Sequence, residues 1–333
     1  MTAFWAKLKK LHGRYAPWIS LALGILARTF SHKGVDFAPK AVAILALAWL
    51  LPIVVSRWLR VPPEGATESK LHNFLRTVSP LLTVMLYKNV LFFLVPIWFG
   101  SAHVGSINIV MPLILAAMAL LTCFARHYRE AVLDEPRIRV LWTAMILFAA
   151  LVPATAVVAL TSPRTSIAIS ALLASAVAWA ALAPSESLFS RKGVVSLAQI
   201  SLPAALLLGL AAPLFPPVPM ICHDHGVGTA LANRELVGRA TRFPRGVPRV
   251  YAWFEVTLPK RARQQVAFRW YHEGVAVGAP VHVMVVGGRK EGFRTSTNIA
   301  TPAIGSWRVD LLTDKSSQLI GWTTFEVDAH PSQ

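Results

Sequence analysis

Apolar stretches long enough to cross a bilayer recur through the first two thirds of the chain, and Lys and Arg gather in every second loop between them. Each crossing needs roughly 20 residues to cover ~30 Å of hydrocarbon. About seven such stretches lie between Pro17 and Met220, so this part is expected to be a polytopic α-helical membrane domain. A chain that is 55% apolar and 15% charged fits that class and would be unusual for a soluble protein of this length.

The loop charges orient the spans. Lys7, Lys9, Lys10 and Arg14 precede a first span at about Pro17–Phe30, which is read as retained because no small-residue cleavage pattern follows it. A second span (about Lys40–Leu59) leads into a loop holding Arg57, Arg60, Lys70 and Arg76. Spans three (Val78–Phe99) and four (Val104–Ala125) are joined by the uncharged link Gly100–His103 and followed by Arg126, Arg129, Arg137 and Arg139. Spans five (Val140–Leu160) and six (Ser166–Ala183) are joined by Thr161–Thr165 and followed by Arg191 and Lys192, and the seventh runs over Val194–Pro219. Cations flanking the inner side outnumber Lys33, Lys40 and Arg164 on the outer side several-fold. The positive-inside rule therefore sets the amino terminus in the cytoplasm and the last third of the chain outside it.

The net charge of +17 invites a nucleic-acid reading. Most cations before residue 224 flank apolar spans, and no basic stripe interleaved with aromatics occurs outside the loops, so no nucleic-acid partner is expected. Cys123 and Cys222 fall on opposite sides of the expected membrane and cannot pair within one chain.

After Pro213, Pro216, Pro217 and Pro219 the pattern changes from continuous apolar runs to alternating ones. This divides the chain into a membrane domain over 1–219, a juxtamembrane linker over 220–235 and an all-β domain over 236–333. In Val250–Val256 the residues Val250, Ala252, Phe254 and Val256 share one face, and in Gln265–His272 Val266, Phe268 and Trp270 do the same. Further runs are Leu236–Arg242, Val275–Val286, Phe293–Thr297, Trp307–Thr313 and Leu319–Val327, separated by Glu273-Gly274, Gly287-Gly288 and Asp314–Ser316 turns. About seven short strands in roughly 100 residues predict a small antiparallel β-sandwich with Trp270, Trp307 and Phe325 in its core.

The order Trp270-Tyr271-His272, Gly287-Gly288-Arg289-Lys290-Glu291-Gly292-Phe293-Arg294-Thr295, Gly305-Ser306-Trp307-Arg308-Val309-Asp310, Gln318-Leu319-Ile320-Gly321 and Phe325-Glu326-Val327 resembles the bacterial family labelled domain of unknown function 2914, over about Leu236–Val327. The membrane part resembles the companion family labelled domain of unknown function 5924. These resemblances imply a Gram-negative inner membrane, with the carboxy-terminal domain in the periplasm, and they imply no activity.

Arg289 and Arg294 flank Gly292, and with Arg269, Tyr271, His272 and Trp253 they are the candidate ligand-binding set, a cationic and aromatic face suited to a phosphate, carboxylate or sugar ring. The competing reading is solvated arginines covering apolar surface. Gly287, Gly288 and Gly292 are expected to supply positive-φ turns or a bulge. Cys222-His223-Asp224-His225 contains only metal-ligand residue types, but adjacent residues do not converge on one ion, so no metal site and no cofactor are assigned. Lys88 sits within span three, where a charge is costly and functional by default, although the spans lack the Asp and Glu that ion-coupled transport uses. No nucleophile elbow, zinc-protease motif or P-loop is present, so no catalytic residue is named and the protein is expected not to be an enzyme. The leading expectation is a non-catalytic inner-membrane protein presenting a periplasmic β-sandwich to an envelope component, whether anionic glycan, lipid headgroup or protein. The alternative is a transporter or lipid-handling protein that uses Lys88.

Overall fold

The computed structural model describes residues 87–183, 190–289 and 291–329. The expected spans at Pro17–Phe30 and Lys40–Leu59, and the start of the third, lie outside these residues. From Tyr87 onward the chain forms helices α1 (87–101), α2 (Val110–Cys123), α3 (Pro136–Val158), α4 (Pro163–Leu182) and α5 (Arg191–Leu210), with a single helical turn at Ala125–Tyr128 and a π-helical turn at Arg129–Leu133 between α2 and α3, and then turns to strands.

Among the described residues three helices, α3, α4 and α5, are long and apolar enough to cross a membrane, rather than the seven spans expected for the whole chain. They correspond to the fifth, sixth and seventh expected spans. At 20 residues or more and 1.5 Å per residue, each reaches about 30 Å. The seventh stops at Leu210 instead of Pro219, because Pro213, Pro216 and Pro217 cannot continue a helix and the chain passes into the 3-10 turn Ala212–Leu214. The fourth expected span is shorter still. Gly105 has φ +88°, the Ser106 hydroxyl accepts from the Asn108 amide, and the continuous α-helix within this span is α2, of 14 residues.

The chain forms two compact units. The first holds the described parts of Met1–Pro96, with Leu113–Ala154 and Ser170–Ala204. Within it the Tyr87 and Thr143 hydroxyls lie 3.1 Å apart, and Trp179 Nε1 donates to Ser196 Oγ at 3.1 Å, tying α4 to α5. The second holds Ile97–Pro112, Thr155–Ile169 and the described part of Ala205–Gln333. There Arg164 Nε donates to the Gly209 carbonyl at 3.2 Å, so a cation satisfies an orphan carbonyl in the last turn of α5.

The strands of the second unit are β1 (Ile221–Gly228), β2 (Ala230–Ala232), β3 (Glu235–Val237), β4 (Arg242–Phe243), β5 (Arg249–Thr257), β6 (Arg263–His272), β7 (Val275–Val286), β8 (Phe293–Ala300), β9 (Gly305–Thr313) and β10 (Leu319–Val327). They build a three-stranded sheet, β1-β5-β8, facing a five-stranded sheet, β4-β10-β9-β6-β7, and β2-β3 forms a separate hairpin. All pairings are antiparallel except the two-residue β4-β10 rung.

Alternation drives this layering. Val250, Ala252, Phe254 and Val256 of β5 are fully buried and meet Val266, Phe268 and Trp270 of β6, with Phe254 and Phe268 rings 5.8 Å apart across the two sheets. Burying each large apolar side chain is worth about 1.5–3 kcal/mol, so the run of inward residues holds the two sheets together. Trp270, Trp307 and Phe325 occupy the core as expected, with Trp307 and Phe325 stacked at 5.9 Å and Trp270 edge-on to both.

One boundary is corrected. The segment 220–235, expected as a linker, contains β1 and most of the β2-β3 hairpin. A register shift between Cys222 and Asp224 breaks the two-residue period of β1, which is why Cys-His-Asp-His does not read as a strand.

A cationic cleft beside the beta2-beta3 hairpin

On the outer face of the three-stranded sheet, register sets Asp224 beside Glu255 and Arg294, and Gly226 beside Trp253 and Ser296. The β2-β3 hairpin lies over this face. Its turn residues Asn233 and Arg234 have φ +50° and +66°, the left-handed pair that a tight two-residue hairpin turn requires. Gly228 lets the hairpin approach, since a Cβ there would lie 2.5 Å from the Val237 carbonyl oxygen and 2.9 Å from the Leu236 side chain. The Arg234 carbonyl accepts from Trp253 Nε1 at 2.8 Å, and Arg239 both caps the Trp253 ring at 5.9 Å and pairs with Asp224 at 2.8 Å. That pairing is the main reason the Asp224 carboxyl titrates below its ordinary range.

Beside the hairpin tip is a cleft of about 370 Å³ lined by Arg234, Arg289, Glu291, Gly292 and Arg294. Arg294 is its floor. Its guanidinium reaches Glu235 at 2.8 Å, Glu255 at 3.4 Å and Glu291 at 3.9 Å, which links β8, β5 and the hairpin in one charge cluster. Arg289 lines the cleft with its guanidinium carbon 4.8 Å from the centre of the Phe293 ring, a cation–π contact that holds the side chain against the loop. Arg234 and Arg289 are exposed, and among the described residues neither is in an ion pair. The cleft therefore presents two unneutralised forks over a neutralised one, a donor set suited to a carboxylate or phosphate group.

The six residues of the expected binding face separate. Arg289 and Arg294 do share the cleft. Trp253 does not face solvent, being only 3% exposed beneath the hairpin. Arg269 and Tyr271 lie on the other sheet, where Arg269 is opposite Asp310 and Tyr271 opposite Arg308. His272 is at the far end of β6, stacked on Trp307 at 4.6 Å with Nε2 2.9 Å from the Ile304 carbonyl. Sequence reasoning did not pick out Arg234. Its only local signal is Asn233-Arg234 between two short runs, a turn signature, while its approach to Arg289 and Arg294 depends on the fold.

Two of the three glycines take the expected positive φ: Gly288 at +92° and Gly292 at +74°. Gly287 serves close approach instead. A Cβ there would overlap the Pro259 carbonyl oxygen and lie 2.8 Å from that of Leu258, where the β7-β8 loop meets the β5-β6 turn. Gly287→Ala should therefore push the loop off the turn at a cost of about 1–3 kcal/mol. Thermal unfolding of the variant checks this; an unchanged melting temperature would contradict it.

The Cys222–His225 side chains have separate surroundings. Cys222 Sγ would lie 3.0 Å from a Cβ on Gly321, and burial first, then Asp224 and Glu255, push its thiol up to about 12. His225 stacks on Phe254 at 6.0 Å. Lys88 is half-buried in α1.

Fold and site together define a two-sheet β-domain with a surface arginine cleft, following helices of membrane-spanning length. A family model described as a protein of unknown function (DUF2914) matches residues 263–327, wholly within the β-domain and shorter than the resemblance read from sequence. A comparison with curated proteins finds no match. Among solved structures, a β-glucosidase from Listeria innocua in complex with glucose is similar over 33% of this chain and 16% of its own, at 10% identity and a TM-score of 0.19. The chain thus spans about a sixth of that enzyme.

Proposed function

We propose that this chain is a multi-pass bacterial inner-membrane protein whose periplasmic β-domain binds an anionic group of an envelope component without catalysing a reaction. The observation that carries the reading is the cleft, where Arg234 and Arg289 stand unneutralised beside the buttressed Arg294. Support for the orientation comes from the second compact unit. The two links expected on the outer side, Gly100–His103 and Thr161–Thr165, belong to the same unit as the β-domain. The transporter alternative rests on Lys88 alone, and the cleft favours the binding reading.

The full chain in detergent, titrated with inorganic phosphate and with citrate, tests this reading. Arg234→Ala with Arg289→Ala should weaken binding about tenfold or more, as expected when charge-assisted hydrogen bonds worth roughly 1.5–3 kcal/mol each are removed. Equal affinity in the double variant would sink the site. Arg294 is left in place because three carboxylates converge on it.

A further inference from the structure

Among the described residues, five exposed cations outside the hairpin share one end of the sandwich: Lys260 and Arg261 in the β5-β6 turn, Arg263 at the start of β6, Arg289 after β7 and Lys315 after β9. Backbone hydrogen bonds hold these turns together. The Gly287 amide donates to the Ala262 carbonyl at 2.9 Å, and the Asp314 amide to that of Gln265 at 3.1 Å. A Cβ on Gly288 would lie 3.6 Å from the Lys260 Cα, which brings the Lys260 and Arg289 segments into contact. The acids described at this end are already engaged: Glu235, Glu255 and Glu291 converge on Arg294, and Asp314 is paired with His282 at 2.7 Å.

The chain enters the β-domain at this same end, since Ile221 pairs with Thr257 and Gln318 Nε2 donates to the carbonyls of Phe215 at 3.1 Å and Pro216 at 3.3 Å. In the same compact unit the helix ends and their links expose Val104 (81%), Ile107 (62%), Leu210 (59%) and Leu214 (50%). A basic rim and an apolar belt at one end of one unit match the two layers of a bilayer surface, anionic headgroups over hydrocarbon.

We infer that this rim docks on anionic phospholipid headgroups of the membrane that the chain itself crosses. The inference rests on the membrane reading above and does not depend on the ligand of the cleft. Cations held near such a surface attract it additively, and the attraction fades within a Debye length, so added salt must weaken it.

The test uses the full chain in nanodiscs of phosphatidylcholine alone and with about a quarter phosphatidylglycerol, read by amide hydrogen exchange. Exchange at 258–263 and 314–318 should slow about threefold or more in the anionic discs and recover in about 0.5 M salt. The variant Lys260→Glu, Arg261→Glu, Arg263→Glu should show no slowing, and the distal segment 300–305 should be the same in both discs. Equal exchange at the rim in the two discs overturns the inference, as does slowing that survives charge reversal. Failure of the chain to enter discs would overturn the membrane reading and the rim with it. Inorganic phosphate added to the phosphatidylcholine discs reports the cleft separately, through 291–294, so a silent cleft leaves the rim result standing.

Discussion

Replacing Trp307 by alanine will lower the stability of the β-domain by about 3–5 kcal/mol, the range for emptying a large aromatic site in a packed core. Trp307 is 3% exposed, stacks on Phe325 at 5.9 Å and on His272 at 4.6 Å, and meets Trp270 edge-on at 6.3 Å. Truncation removes all of these contacts and also the Nε1 hydrogen bond to the Ala303 carbonyl at 2.8 Å. Because β9 is interior to the five-stranded sheet, the space cannot close by moving an edge strand. Hydrogen exchange of β6 and β9 amides reports the opening of the whole domain and checks the prediction. A loss below about 1 kcal/mol would mean that the domain has a different core.

Acid will loosen the Ala102–Ile109 segment from the β-domain. His103 packs edge-on against His225 at 5.5 Å and against Trp322 at 5.6 Å, and its backbone amide donates to Asn108 Oδ1. Burial lowers its pKa to about 4, with repulsion from His225 and Arg308 adding to the shift. His225 is lowered as well, by burial and Arg239 against the opposing pull of Asp224. Arg308 is itself paired with Asp310 and lies 4.3 Å over the Trp322 ring. A histidine held neutral by its surroundings binds fewer protons when docked than when released. Stability is therefore complete above the ordinary histidine range and falls as pH drops from about 6.5 towards 4. Partial exposure brings the His103 contribution to about 1–3 kcal/mol. The Asp224 contribution is lost only at lower pH, below the ordinary carboxylate range, because its pKa is depressed. Hydrogen exchange of 102–110 between pH 7 and pH 4.5, corrected for intrinsic rates, should show the loss, and His103→Phe should flatten it. A flat profile in the native chain would refute the assignment.

Much of the β-domain is legible in the sequence for one physical reason: strands with a single buried face carry a two-residue period. Leu319–Val327 coincides with β10, and the other runs from Val250 onward differ from β5, β6, β8 and β9 only at their ends, while Val275–Val286 coincides with β7 through its apolar run and bounding turns, since that edge strand is largely exposed and has no single buried face. β1 is not legible because its bulge at Cys222–Asp224 shifts the period within a short strand. Trp253 misleads for a related reason. Alternation assigns it to the outer face, which is correct, but a hairpin too short to signal itself covers that face. The cleft is half visible. Arg289 and Arg294 are neighbours along the chain, whereas Arg234 joins them from 55 residues away from Arg289 through contacts that no local pattern encodes. The fourth expected span shows the opposite failure. Its first residues are apolar enough for a membrane, yet Asn108 is fully buried and donates to the Leu319 carbonyl at 3.2 Å, which commits that stretch to the β-domain.

Only the residues between Leu210 and Ile221 connect α5 to β1, and they are clamped by Gln318 through the Phe215 and Pro216 carbonyls. Ten flexible residues would let a domain wander by about 18 Å, sweeping a volume in search of its target. Here the buried Gln318 side chain holds the Phe215 and Pro216 carbonyls within the same compact unit as the β-domain, so this stretch is not a free tether but a strap whose ordering cost is met inside the domain it leads into.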